Sequence, residues 1–404
     1  MKICAIVSEY NPFHLGHAYQ IDCIRKAFDE DTAIIAVMSG SLVQRGELAL
    51  MDKVERARCA VLGGVNLVLE LPFPYSMASA EYFARAAVHI IHSLGVVDVL
   101  SFGSECGSLE ALYTVQSRMR SSTFLKVREE LMEKDKTLGY PKANELAYKK
   151  LYSDNDFTFS PNNILGLMYL DALEDFHSDI TPYTIKRIGN QYNDTSLNGK
   201  IASASAIREG LRVGSLEALA SCPPLVAERL GNAFQSGELL FSASRLDTLV
   251  LSHLLLNSSQ STPIHEGEDG LYNRLLKNAR RSNTISDLIT LSETKKYTRA
   301  RIRRVLWNSI IGVTSSSVRT LPSYTQLLGA DSTGLAILKM AKKRSHIKIL
   351  TKPSRYDGAD PLTASQIEMS QKTDILYALA RVGHCASEAI AYTPFIKKDN
   401  LSKS

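Results

Sequence analysis

The chain opens on an alternation of short apolar runs and longer amphipathic ones. Ile3 to Val7, Ala33 to Met38, Leu67 to Leu71 and Val96 to Phe102 are mainly apolar and rich in β-branched residues, and they start about every thirty residues. Between them, Ala18 to Phe28, Lys53 to Leu62 and Ser79 to Leu94 carry apolar residues at intervals of three and four, the period of a helix with one buried face. Such strands alternating with helices predict an α/β, Rossmann-like parallel sheet covered on both faces and joined by right-handed crossovers. Ligands of such sheets lie beyond the carboxyl ends of the strands.

Further on, the charged stretch Thr123 to Asp156, with Pro141 inside it, predicts a helical excursion. Thr184 to Ile188 predicts a fifth strand ahead of Ile201 to Gly210. Beyond Gly214 helical runs dominate, at Leu216 to Ala233, Ser242 to Leu256, Gly270 to Asn278 and Tyr297 to Ile311, with Asn257 to Asp269 as a surface loop. After Pro322 the glycines Gly329 and Gly334 and the apolar run Ile347 to Leu350 predict a small mixed subdomain. A chain of 404 residues exceeds the size at which one core usually stops growing. The expected division is residues 1–214 as the sheet domain, 215–320 as a mainly helical basic region and 321–404 as the small C-terminal subdomain.

Hydrophobic residues at 45% and charged residues at 22% exclude a disordered chain. The first apolar run is only five residues long and ends in Ser8-Glu9, too short for a signal peptide or membrane helix, so a cytoplasmic protein with no membrane segment is expected. Six cysteines without a Cys-x-x-Cys pair suggest reduced, mostly buried thiols, and no metal site is expected from them. The net charge of +5 is unevenly spread: Leu271 to Tyr356 holds 18 Lys and Arg against three acids, an excess of 15, which points to a polyanionic partner.

The first strand ends at Ser8-Glu9-Tyr10-Asn11-Pro12-Phe13, and His14-Leu15-Gly16-His17 opens the next helix. A helix start directs free N–H groups and partial positive charge outward, which suits phosphate, and two imidazoles three residues apart share one face of the first turn. Attack on an α-phosphate builds negative charge on phosphoryl oxygens and on leaving pyrophosphate, so preorganised donors lower the barrier. A His-x-x-His pair in another setting would equally be a metal or surface pair; the strand-to-helix setting with Gly16 favours phosphate. A second string, Ile201-Ala202-Ser203-Ala204-Ser205-Ala206-Ile207-Arg208, would by itself be a helix cap, yet its hydroxyls and Arg208 could also grip phosphate. Arg187 ends the fifth strand on the ligand edge, and Gly103 ends the fourth, where a nucleotide could approach the backbone. Asn162 and Asn163 follow Pro161 and serve either as caps or as ligands; Gln44-Arg45-Gly46-Glu47 is either a functional loop at the same edge or plain surface. His89 and His92 read as structural.

These strings, with Val37-Met38-Ser39-Gly40, Phe102-Gly103-Ser104-Glu105 and Ser160-Pro161-Asn162-Asn163-Ile164-Leu165-Gly166, resemble the nucleotidylyltransferase superfamily, and within it the bacterial tRNA(Met) cytidine acetate ligase family. The resemblance spans most of the first 210 residues and is looser beyond, strongest there around Lys295 to Arg299 and Leu327 to Gly329. It implies that acetate and ATP form acetyl-adenylate and pyrophosphate, and that the acetyl group then passes to N4 of the wobble cytidine of elongator tRNA(Met). The implied catalytic residues are His14, His17 and Arg208. ATP would lie along Val7, Ser8, Glu9, Tyr10, Asn11, Pro12, Phe13, His14, Leu15, Gly16, His17, Ala18, Tyr19 and Gln20, with Gly103, Asn162, Asn163, Arg187, Ser203 and Ser205. Magnesium would accompany ATP, bound mainly by its phosphates.

Acetate needs a small pocket, for which Met38, Ser39 and Gly40 are the expected walls. Transfer RNA would dock on Arg299, Arg301, Arg303, Arg304, Lys342 and Lys343, because polyanion binding needs many dispersed cations. Tyr297, Trp307 and Tyr324 offer stacking faces, although Trp307 also suits the core. Two rival readings stay open: an adenylyltransferase acting on a small-molecule phosphate, and a non-catalytic protein that binds ATP and RNA.

Overall fold

A computed structural model describes residues 1–152, 157–187, 202–239, 241–256, 263–389 and 392–398. Five parallel strands form the N-terminal part of the sheet: β1 (Ile3–Ser8), β2 (Ala33–Ser39), β3 (Leu67–Leu71), β4 (Val99–Ser104) and β5 (Thr181–Lys186). Alternate residues feed opposite cores. Cys4, Ile6, Ile34, Ala36 and Met38 pack on one face, while Ala5 and Val37 pack on the other against Phe83, Ile90 and Ile91. The crossover helices α1 (Leu15–Phe28), α2 (Lys53–Leu62) and α3 (Ala80–Ser93) cover those faces.

Two strand boundaries move. The fourth strand begins at Val99 rather than Val96, because Val96 and Val97 are apolar but precede the pairing, which starts at Cys4 opposite Val99. The fifth begins at Thr181 rather than Thr184 despite Pro182; β5 is the edge strand, where a missing N–H is tolerated. Its expected end, Ile188, lies outside the described residues, as do 153–156 of the helical excursion, Ile201 and 257–262 of the expected loop. The excursion itself is helical, at Ser122–Lys134 and at Tyr140–Leu151, with Pro141 in the first turn where its missing N–H does no harm. The run Leu216 to Ala233 is broken into a 3-10 turn, Leu216–Ser221, and a helix, Pro224–Gln235, by Pro223 and Pro224.

The chain after Pro322 returns to the first sheet. Strand β6 (Tyr324–Ala330) lies antiparallel against β3, flanked by β7 (Lys348–Leu350) and β8 (Phe395–Ile396), so the order is β5-β4-β1-β2-β3-β6-β7 with β8 beside β6. All seven residues of β6 are buried, and apolar sequence alone does not say which earlier strand such a segment pairs with. The following helix, Ser332–Arg344, packs so closely that a Cβ at Gly334 would sit 1.9 Å from the Asn66 carbonyl oxygen. Among the described residues no helix is long and apolar enough to cross a membrane.

A buried ionic cluster ties the distant segments together. Lys53 Nζ donates to both carboxylate oxygens of Glu70 at 2.9 and 3.0 Å and to Asp374 Oδ2 at 2.7 Å, while Ser41 Oγ donates to Asp374 Oδ1 at 2.6 Å. Asp374 lies on the long helix Pro361–Ala380, so α2, β3 and the C-terminal helix share one charge centre. Removing the cation strands two buried carboxylates. Lys53→Ala is therefore expected to destabilise the fold by about 3–5 kcal/mol, seen as a clear fall in melting temperature; a Tm within a degree or so of wild type would refute this role.

Candidate active site

A cleft opens at the carboxyl ends of β1 and β4, and its shape follows from helix periodicity. Only His14, at the N-cap of α1, and His17 and Gln20, each three residues further on, line it from that helix. Each imidazole is locked through its inner nitrogen: His14 Nδ1 accepts from the Gly16 N–H at 3.0 Å, and His17 Nδ1 accepts from the His14 N–H at 3.1 Å. The two rings lie with centroids 3.9 Å apart, and Tyr10 stands edge-on to His17 at 4.8 Å. With Nδ1 an acceptor in both, the proton of each neutral ring resides on Nε2, and both rings become hydrogen-bond donors.

The electrostatics agree. Burial, reinforced by Arg187 and Arg208, lowers His14 from 6.5 to about 3, and burial with the neighbouring His14 holds His17 well below its ordinary value. Of the N–H groups that open the helix, that of Gly16 is consumed by the cap, and the imidazoles carry donor character outward in its place.

The opposite wall comes from the helix Ala204–Arg212. Ser203 caps it by accepting from the Ala206 N–H, and Arg208, one turn in, donates to the Asn11 carbonyl at 2.7 Å and to Ser205 Oγ at 3.3 Å. Arg187 follows β5, its N–H bonded to the Ser104 carbonyl, and its stem crosses Gly103: a Cβ at residue 103 would lie 3.1 Å from Arg187 Cγ. Glycine there makes room for the arginine. Glu9 lines the same cleft, with Oε1 accepting from the Gln44 N–H at 3.0 Å; burial pushes its carboxyl above the usual range.

Val7, Ser8, Glu9, Tyr10, Asn11, His14, His17, Gln20, Gly103, Asn162, Arg187, Ser203, Ser205 and Arg208 all line this cleft. Pro12, Phe13, Leu15, Gly16, Ala18 and Tyr19 do not: Pro12 and Phe13 precede the helix and are buried, and the other four fall on faces of α1 turned away from the cleft. Asn163 is buried elsewhere: its Oδ1 accepts from the Glu105 and Cys106 N–H groups, so it shapes the turn after β4. Met38, Ser39 and Gly40 also lie off the cleft, enclosed in the core, where the carbonyls of Ser39 and Gly40 accept from Arg56.

The arginines expected to face RNA are largely turned toward protein. Arg301 donates to the Glu266 carbonyl and Asp269, Arg304 to both Glu266 carboxylate oxygens, Arg303 to Glu47, and Arg299 to Glu293. Tyr324 is buried with its hydroxyl on Ser370, Tyr297 Oη donates to the Asp269 carbonyl, and Trp307 is core, donating from Nε1 to the Gly46 carbonyl. Lys342 and Lys343 are exposed at the end of the helix Ser332–Arg344.

Sequence reasoning missed an apolar wall of Phe83, Phe102, Leu165 and Tyr169. Part of it was detectable, since Asn162, Leu165 and Tyr169 recur at three and four along one helix face.

The description "HIGH Nucleotidyl Transferase" belongs to a family whose model matches residues 1–389. A "tRNA(Met) cytidine acetate ligase" of Thermoanaerobacter sp. (strain X514) is 36% identical, aligned over 88% of this chain and 90% of its own length. One of the same description from Caldanaerobacter subterraneus subsp. tengcongensis is 35% identical over 98% of this chain and 100% of its own. Crystal structures of Thermotoga maritima TmcAL superpose over 99% of this chain and 100% of theirs. The apo form gives a TM-score of 0.90 at 30% identity, and the form bound with alpha-thio ATP gives 0.87 at 28%.

Neutral buried histidines make stability depend on pH in a defined direction. The folded His14 value, about 3, lies below the ordinary 6.5, so between those values the unfolded chain binds more protons. The contribution is full above pH 6.5 and is lost as pH falls toward about 3. Nitrogen NMR of the ring is expected to show His14 neutral with its proton on Nε2 at pH 6; an imidazolium signal there would overturn the assignment.

Proposed function

The chain belongs to the tRNA(Met) cytidine acetate ligase family of HIGH nucleotidyl transferases, and from that premise we propose that it activates acetate with ATP and acetylates N4 of the wobble cytidine of elongator tRNA(Met). The observation that carries the reading is the pair of imidazoles held as neutral Nε2–H donors, flanked in one cleft by Arg187 and Arg208.

In the first step an acetate oxygen attacks the α-phosphorus, the bond to the β-phosphate's bridging oxygen breaks, and pyrophosphate leaves. Acetate is already ionised at neutral pH, so the step requires positioning and charge stabilisation and no general base. His14 and His17 donate to the phosphoryl oxygens as charge builds on them, and Arg208 neutralises the departing pyrophosphate. Arg187 and Asn162 hold the nucleoside side of the substrate, and Phe102 and Tyr169 line the apolar wall beside it. Magnesium arrives on the ATP phosphates as part of the substrate.

In the second step the cytidine amine attacks the acetyl carbonyl, AMP departs, and the nitrogen sheds a proton. RNA phosphates meet the exposed cations, Lys342 and Lys343 among them, while the arginines of the helix Arg299–Ile311 organise the loops around the cleft.

The decisive experiment supplies ATP, labelled acetate and bulk tRNA, then digests the RNA and seeks labelled N4-acetylcytidine. His14→Ala or Arg208→Ala is expected to lower acetate-dependent ATP–pyrophosphate exchange by about 10²–10³-fold. Wild-type exchange in either variant, or ATP binding without any labelled nucleoside, would sink the reading.

A further inference from the structure

The loop Gln44-Arg45-Gly46-Glu47 stands between the cleft and the basic helix Arg299–Ile311, and Glu47 touches both. Its Oε2 lies 3.4 Å from the Arg208 guanidinium and its Oε1 accepts from Arg303 at 2.6 Å. The loop is a tight turn, closed by Val43 N–H to the Glu47 carbonyl at 3.0 Å and Gly46 N–H to the Val43 carbonyl at 2.8 Å. It is pressed onto the helix: Gly46 has φ +70°, and a Cβ on it would lie 2.7 Å from Arg303 Cβ. Trp307 Nε1 donates to the Gly46 carbonyl at 2.9 Å, and the Gln44 N–H reaches back to Glu9 at 3.0 Å.

Arg208 thus receives its carboxylate from a loop whose own position is set by a helix about 250 residues further along the chain. A carboxylate shared by two guanidiniums cannot swing toward either without giving up the other, so it restricts where the Arg208 fork points. We propose that Glu47 is a positioning residue for Arg208 and that, through Arg303, the basic helix sets the nucleotide site before any RNA binds. The proposal rests on the reading of Arg208 as a triphosphate contact. It assigns Arg303 a duty distinct from RNA docking.

The test uses the intact chain with no RNA present, so a residue that serves only to dock RNA has no effect in it. Acetate-dependent ATP–pyrophosphate exchange is measured for wild type, Glu47→Gln, Arg303→Ala, Arg303→Lys, Arg208→Ala and the double variant Glu47→Gln/Arg208→Ala, each first shown to melt near wild type. Glu47→Gln and Arg303→Ala are each expected to lower kcat about tenfold while KM for ATP moves less than about threefold, and Arg303→Lys to recover part of the loss. The double variant is expected to be no slower than Arg208→Ala alone, because Glu47 acts through Arg208. Additive losses in the double variant, or wild-type kcat in Arg303→Ala, overturn the proposal.

A readout independent of turnover is the Arg208 side-chain NMR signal, identified by its disappearance in Arg208→Ala. It is expected to broaden or shift in both Glu47→Gln and Arg303→Ala, and an unchanged signal overturns the proposal. If wild type shows no acetate-dependent exchange, the acetate reading fails while this signal still decides the positioning role.

Discussion

One enclosed guanidinium organises the catalytic edge of the sheet. Arg56, on α2 and fully buried, donates to the carbonyls of Met51, Glu9, Ser39 and Gly40. Those carbonyls belong to the ends of β1 and β2 and to the segment leading into α2, where the chain leaves regular structure and its hydrogen-bonding groups lose their ladder partners. A buried cation is tolerated only when its donors are satisfied, so the carbonyls and the arginine hold each other in place. From the ends so gathered depart both the Tyr10 to His14 turn and the Gln44 to Glu47 loop. The arginine lies off the cleft, yet both histidines and the loop at the cleft's rim inherit their positions from it.

The parallel strands and the location of the cleft were legible because both depend on local patterns, apolar period and the placing of a polar string at a strand end. The histidine pair and the Ser203 to Arg208 string were legible for the same reason. What was not legible depends on direction rather than identity. Asn162 and Asn163 are adjacent in sequence, yet one faces the cleft and the other turns into the chain after β4. The same holds for Met38, Ser39 and Gly40, which lie at the correct strand end but point into the core.

Summed over its charges, the basic C-terminal stretch is a positive field. Individual arginines within it have local occupations that no sum of charges reveals: Arg304 is only 13% exposed at its side chain and pairs with Glu266, which precedes the basic stretch. Long-range pairing was equally hidden. Nothing near Tyr324 states that its strand belongs beside Leu67 to Leu71.

That antiparallel junction of β3 with β6 has a temporal consequence. The ribosome delivers Leu67 to Leu71 long before it delivers Tyr324 to Ala330, so for most of synthesis the nascent sheet carries a bare, apolar edge with unpaired backbone groups. Such an edge invites pairing with other chains. The helix Pro361–Ala380, which follows β6, brings Asp374 to Lys53 and Glu70, so the stretch from Tyr324 to Ala380 acts as a closing seam. This architecture therefore places its pairing hazard in the interval of synthesis before Tyr324 is delivered, rather than in the finished molecule.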